Sequence, residues 1–210
     1  MILYRTLGFY AVRPLLRIVY RAEITGGERI PAGGPCVLVA NHESVVDPFV
    51  LGLATPRLIR YMAKAELWQS RLLALVMEGF GGFPVERGRG DAAALDRARG
   101  LLAQGEIIAI FPQGTCLPFR RRPFHRTAAR LAIETGVPVV PVALVGTEKI
   151  ARPHRLKLGL PKVRVLVGRP IEVEPRKATV TAAKELTGRL ESAIEELRRP
   201  YGEPAHVWID

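Results

Sequence analysis

Cysteine is nearly missing from this chain: its 210 residues hold two, Cys36 and Cys116. They form no CxxC pair and are too few for a disulfide scaffold, so Cys36 reads as a small buried apolar residue in an intracellular chain. Aromatic residues are scarce at 7%. No aromatic-rich, base-stacking strand or recognition helix accompanies the arginines, so nucleic acid is not an expected partner. No apolar run approaches the roughly 18 consecutive residues of a spanning helix. Repeats, low-complexity tracts and interdomain linkers are absent too. Acidic residues are outnumbered, 20 Asp+Glu against 31 Lys+Arg, for a formal charge of +11 and a pI near 10.3. With nucleic acid set aside, such a surface meets lipid head groups or a phosphorylated substrate. What the chain has in quantity is hydrophobicity, 48% of residues with a mean hydropathy of +0.12. That content excludes disorder, and the length suffices for one domain with a real core.

The N-terminus, "MILYRTLGFYAVRPLLRIVYRAE", is the nearest candidate for a spanning helix, but Arg5, Arg13 and Arg17 interrupt it. Wound as a helix, it gathers Leu7, Ala11, Leu15 and Ile18 on one face and Arg5, Arg13, Arg17 and Arg21 on the other. Arginines inside the apolar region and the lack of a small-residue cleavage site argue against a secretory signal. Two readings stand. The segment at 1–21 is an amphipathic helix lying in the interface of an anionic bilayer, or a terminal helix docked on its own domain. Pro14 can break it into two pieces.

The remainder, 22–210, alternates. Strand-like runs lie at 36–40, 58–63, 106–111, 139–145 and 163–168, with helical stretches near 48–55, 66–79, 91–104, 127–135 and 180–199. Asp91 is placed to cap the helix at 91–104 and Gly105 to stop it. β-Branched runs too apolar to be half exposed predict a single layered α/β domain, its sheet largely parallel or mixed and flanked by helices. Gly and Pro residues at 79–90 read as a turn.

This places "NHESVVDPFV" (41–50) at the carboxyl end of a strand, entering a helix at Asp47-Pro48. Ligand sites of open α/β sheets favour that edge. His42 and Asp47 fit either a polar connection with a capping aspartate, or a general base with the carboxylate that fixes its tautomer. The spacing is not HExxH, so no metal site is expected. Ser44 lacks a G-x-S-x-G elbow and reads as a loop hydrogen-bonding residue. Cys116, among arginines, is a second conceivable nucleophile if its pKa is lowered.

Three further segments bear on the choice: "GGFPVERG" (81–88) with Arg87, "FPQGTC" (111–116) and "GVPVVPV" (136–142). In that order and spacing the four blocks resemble those of the glycerolipid acyltransferases, the 1-acyl-glycerol-3-phosphate acyltransferase family. Asn41, His42, Ser44 and Asp47 match the first block, N-H-x-x-x-x-D. Arg87 matches the second, and Val137, Pro138, Pro141 and Val142 the fourth. "YMAKAEL" (61–67), with Lys64, resembles another recurrent segment. The third block departs: the family's F-P-E-G-T-R reads Phe111, Pro112, Gln113, Gly114, Thr115, Cys116, without either charge. Cys116 cannot grip phosphate bidentately as an arginine does, and the basic "FRRRPFHR" (119–126), with His125, is a possible replacement source of cations.

The resemblance, from about residue 24 to 173, implies an acyltransferase that moves a fatty acyl group from acyl-CoA or acyl-acyl-carrier-protein to the hydroxyl of a lysophospholipid. Lysophosphatidic acid is the default acceptor. It implies His42 and Asp47 as the catalytic pair, with Lys64, Arg87 and the Gln113–Gly114–Thr115 turn on the substrates. It requires no metal or redox cofactor, and it implies peripheral or monotopic association with an anionic membrane surface on the cytoplasmic side of the cell membrane. Two rivals remain: an acyltransferase for another lysolipid or a non-phosphorylated alcohol, and a lipid-binding protein that kept the fold without catalysis. The oligomeric state is left open.

Overall fold

The computed structural model describes residues 13–85, 92–116, 120–152, 155–156, 161–202 and 207–208. Its centre is a seven-stranded mixed sheet. The strands in chain order are β1 (Glu23–Thr25), β2 (Cys36–Ala40), β3 (Ile59–Lys64), β4 (Gly82–Val85), β5 (Ile107–Ile110), β6 (Val139–Val145) and β7 (Arg164–Val167). They lie side by side as β1-β7-β6-β2-β5-β3-β4. β7 runs antiparallel to β6 and every other neighbouring pair is parallel. β2 and β5 are therefore adjacent, with Val39 opposite Ile110, and the loops leaving their carboxyl ends emerge side by side.

β2 is buried along its whole length. Its alternate residues feed two separate cores, as the two-residue period of a strand requires. Val37 and Val39 pack with helices α4 (Ala92–Ala103), α5 (Thr127–Thr135) and α6 (Val180–Arg198) on one face. Cys36, Leu38 and Ala40 pack on the other, against Val50 and Leu51 of the short helix α2 (Asp47–Leu51). The expected α/β layering is present. α6 opens on Thr179, whose hydroxyl accepts a hydrogen bond from the Ala182 amide at 3.2 Å. Gly105, with φ 80°, ends α4 as expected, while Asp91 lies outside the described residues.

Several boundaries differ from the sequence reading. Residues 79–90 were expected to be a turn, but 82–85 are the edge strand β4, paired with β3. The chain turns at Phe80 and Gly81, the latter at φ 82°, where a Cβ would stand 2.2 Å from the Ile59 carbonyl oxygen; residues 86–90 lie outside the described residues. The helix expected at 66–79 is two pieces: a 3₁₀ segment, Ala65–Gln69, and then α3 (Arg71–Gly79), which Ser70 caps. β1 has only three residues and no alternation long enough to signal a strand.

The N-terminal expectation falls mostly on residues 1–12, outside the described residues. What is described is a short helix, α1 (Arg13–Val19). Pro14 lies within α1, and the expected break of the longer segment at it turns on residues 1–12, outside the described residues. Arg13 faces the domain and donates to the Leu53 carbonyl at 2.7 Å. Leu15 and Ile18, on the face expected to be apolar, are 59% and 75% exposed. Among the described residues no helix is long and apolar enough to cross a membrane.

Candidate active site

The site begins where β2 stops pairing. After Ala40, which lies opposite Val142, the Asn41 side chain takes over the ladder. Its Oδ1 accepts from the Leu144 amide at 2.8 Å and its Nδ2 donates to the Leu144 carbonyl at 2.9 Å. An amide side chain imitates a peptide group in this way, which lets the main chain turn away at the next residue. The His42 amide then donates to Gln113 Oε1 at 2.5 Å, tying the loop after β2 to the loop after β5. The His42 ring stacks on Phe111, centroids 4.4 Å apart.

Asp47, fully buried at the start of α2, organises the turn between. Its Oδ2 accepts from the Glu43 amide at 2.7 Å, from the Ser44 amide at 2.8 Å, and from His42 Nδ1 at 2.9 Å. An oxygen already accepting from two amides has no proton to offer, so Nδ1 carries the hydrogen and Nε2 is left with its lone pair. His42 is 17% exposed, enough for contact with a bound molecule. The arrangement can take a proton at Nε2, and the carboxylate stabilises the cation that results.

Behind this loop lies a buried ionic cluster that the sequence reading missed. Glu43 Oε1 meets Arg198 Nη2 at 2.6 Å, with 1% and 8% of the two side chains exposed. Arg198 is the last residue of α6. Burial pushes the Glu43 carboxyl up to about 7, against the pull of Arg198 and with a further push from Glu148 and Asp47. A Glu directly after the histidine and an Arg ending the last helix were visible in the sequence, but nothing there pairs them.

In front of His42 opens a groove of about 990 Å³. Its walls are largely apolar, with Phe49 of α2, Met62 of β3, Leu73, Val76 and Met77 of α3, and Phe80 just after that helix. Arg13 and Leu16 of α1 close one part of the rim.

The other expected site residues divide. Gln113, Gly114, Thr115 and Cys116 all line the groove with His42. Gln113 was expected on the substrate, yet its side-chain oxygen is committed to the His42 amide. An acceptor is all that this bond needs, so an uncharged amide fills the place where the family carries Glu. Gly114 has φ 70°, and a Cβ there would meet the His125 ring at 3.2 Å. Lys64 ends β3 opposite Val85, and its side chain is outside the described set. Arg87 lies outside the described residues altogether. The suggestion of a low-pKa Cys116 is corrected: burial pushes its thiol up to about 12, and the negative Asp47 and Glu43 push in the same direction.

Comparison with known proteins now decides the family. A family model described as Acyltransferase matches residues 21–145. The chain belongs to the acyltransferase family. Among its relatives, the 1-acyl-sn-glycerol-3-phosphate acyltransferase of Bacillus subtilis (strain 168) is 29% identical over 193 residues, 89% of this chain and 93% of that protein. The alpha form of the enzyme from Bos taurus is 32% identical, covering 90% of this chain and 73% of its own length. The chloroplastic BAT2 enzyme of Brassica napus is 33% identical over 72% of this chain, which spans 45% of that longer protein. The fold resembles the crystal structure of the 1-acyl-sn-glycerophosphate (LPA) acyltransferase PlsC from Thermotoga maritima. The TM-score is 0.75 at 23% identity, over 95% of this chain and 82% of that one.

The role of Gln113 is testable in this acyltransferase. Gln113→Leu removes the acceptor from the part-buried His42 N–H, at a cost of about 1 kcal/mol, the lower end for a stranded donor. Both chemical unfolding midpoint and turnover should fall. Gln113→Glu keeps the acceptor and should preserve far more of each.

Proposed function

We propose that this acyltransferase moves a fatty acyl group from an acyl thioester, acyl-CoA or acyl-acyl-carrier-protein, to the free hydroxyl of a lysophospholipid. The default acceptor is 1-acylglycerol 3-phosphate, the product phosphatidic acid, and the setting phospholipid biosynthesis. One observation carries the reading: an imidazole, held by a buried carboxylate with Nε2 unbonded to it, stands in a mainly apolar groove of about 990 Å³. The names of the relatives support the acceptor.

In the proposed reaction the acceptor hydroxyl gives its proton to His42 Nε2 as its oxygen attacks the thioester carbonyl. Asp47 stabilises the imidazolium. The tetrahedral oxyanion collapses, the carbon–sulfur bond breaks, and the proton on Nε2 passes to the departing thiolate. No enzyme nucleophile is required, in keeping with the raised thiol of Cys116. Of the amides in the turn after β5, that of Gly114 is spent on the Phe111 carbonyl. Thr115 and Cys116 are the better placed to offer an N–H to the oxyanion. The groove takes the acyl chain. Lys64 and Arg87 would hold the acceptor's phosphate, since Cys116 supplies no cation.

That neutral third block also favours a second reading, a different lysolipid or an uncharged alcohol as acceptor. A thiol-release assay with acyl-CoA against a panel of lysolipids separates the two. Release with lysophosphatidic acid above all others upholds the first. Release only with phosphate-free alcohols replaces it with the second, and none with any acceptor leaves a lipid-binding protein.

Access to lipid is proposed to come by peripheral docking, on the cytoplasmic side where acyl thioesters are made. α3 leaves Leu72 and Leu75 72% and 62% exposed, while Leu73 and Val76 of the same helix line the groove. Apolar exposure at the mouth of a lipid groove suits a helix lying in the bilayer interface, as does the outward face of α1. Leu72→Glu with Leu75→Glu should reduce sedimentation with anionic vesicles several-fold. Deleting residues 1–20 should weaken it further, and more for anionic than for neutral vesicles. Unchanged sedimentation of both proteins would refute the docking.

A further inference from the structure

Arg122, His125 and Thr127 border two cavities at once. One is the groove in front of His42. The other, of about 850 Å³, lies where α5 and α6 begin and adds Arg126, Arg130 and Thr179 to its walls. No acidic residue lines it among the described residues. The starts of both helices border it, so unpaired amides and the positive ends of two helix dipoles add to the arginines. The Arg122 and Arg126 side chains have no ion pair or hydrogen bond among the described residues. Arg130 makes only a 3.7 Å contact with Glu134. Pro123, Phe124, Ala178 and Val180 give the cavity apolar surface as well. Unpaired guanidinium groups beside two helix N-termini, next to apolar wall, make a site for a phosphorylated molecule with an apolar or aromatic part.

We propose that this cleft binds the coenzyme A part of the acyl donor, its 3′-phosphorylated adenosine diphosphate, while the thioester lies at His42. The assignment rests on the acyl-transfer reading above. Distance along the substrate favours the donor over the acceptor. In a lysophosphatidic acid the reacting hydroxyl and the phosphate are separated by only a few bonds, so that phosphate must bind close to His42. In acyl-CoA the whole pantetheine arm separates the thioester from the phosphates, which therefore need a second basic site. The cleft is such a site: it includes neither His42 nor Gln113, and it is joined to their groove through His125, which packs beside Gly114. Its volume is that of a small-molecule pocket.

Calorimetric titration of the full chain with coenzyme A tests the site without catalysis. Arg126→Gln with Arg130→Gln should weaken binding about tenfold or more, the usual consequence of losing charge-assisted hydrogen bonds. The KM for acyl-CoA should rise in parallel. The KM for acyl-pantetheine, which lacks the phosphates, and that for the lysolipid should not respond. Circular dichroism checks the fold; if the double variant misfolds, Arg126→Gln alone and Arg122→Gln carry the test. Unchanged coenzyme A affinity would overturn the proposal. So would a KM rise confined to the lysolipid, which would make the cleft an acceptor site, or confined to acyl-acyl-carrier-protein, which would give it to the carrier. Failure of the wild-type chain to release thiol from any donor would sink the acyl-transfer reading, yet leave the binding comparison readable.

Discussion

His42→Ala is expected to lower turnover by about 10²–10⁴-fold, the range in which general base catalysis lies, while leaving the protein folded. The ring contributes its stack on Phe111 and one bond to Asp47, but Asp47 keeps the Glu43 and Ser44 amides without it. The turn therefore retains its organising carboxylate. Asp47→Asn tests the second half of the pair. An asparagine with its oxygen in the place of Oδ2 still accepts from the two amides and from His42 Nδ1, but it is neutral, and its NH₂ takes the buried place of Oδ1, which has no hydrogen-bond partner among the described residues. The tautomer is then kept, but the negative charge that stabilises the imidazolium is lost. Activity should fall by a similar order with a modest change in stability. Single-turnover thiol release, with an unfolding midpoint for each variant, measures both. Near-normal turnover by folded His42→Ala protein would end the mechanism.

The parts of the site that could be read in the sequence are those written locally. An apolar run followed at once by Asn41, His42 and Asp47 announces a strand end and a helix start, and Asp47 is close enough in sequence to bond His42. Four blocks in order gave the family. What could not be read is long-range or conditional. Nothing local tells that Gln113 faces the His42 amide rather than a substrate, because that depends on β2 and β5 lying side by side. β4 was concealed by the glycines around its start: the turn at Phe80 and Gly81 runs straight into the strand, which begins at Gly82. α3 has the leucines of a core helix, but no neighbour covers Leu72 and Leu75. Periodicity tells which residues share a face, not whether anything is packed against it.

The contact between Glu43 and Arg198 is the longest-range feature of the site, and a second large effect is expected there. Burying an ion pair is expensive, and its net contribution to stability is often small. Breaking one is another matter. Arg198→Met would leave Glu43 beside Asp47 and Glu148 in a dry interior, at a cost of about 3–5 kcal/mol where Glu43 is ionised. The pH dependence follows from the sign of the shift. Glu43 is raised from 4.5 to about 7 by burial, so between those values the native state binds more protons than the unfolded chain. Its contribution to stability is fully present below about 4.5, declines as pH rises, and is lost above about 7. Denaturant midpoints should therefore drop from pH 5 to pH 8 in the wild type. They should drop more steeply in Arg198→Met, where the carboxyl, without the guanidinium, resists ionisation further. Glu43→Gln with Arg198→Met removes both charges and should recover most of the loss at pH 8 and flatten the profile. The loop that carries His42 also carries Glu43, whose amide holds Asp47, so turnover should follow the same order. An Arg198→Met protein as stable as the wild type at pH 8 would show that water or movement of the loop relieves Glu43, and that α6 does not hold the catalytic turn in place.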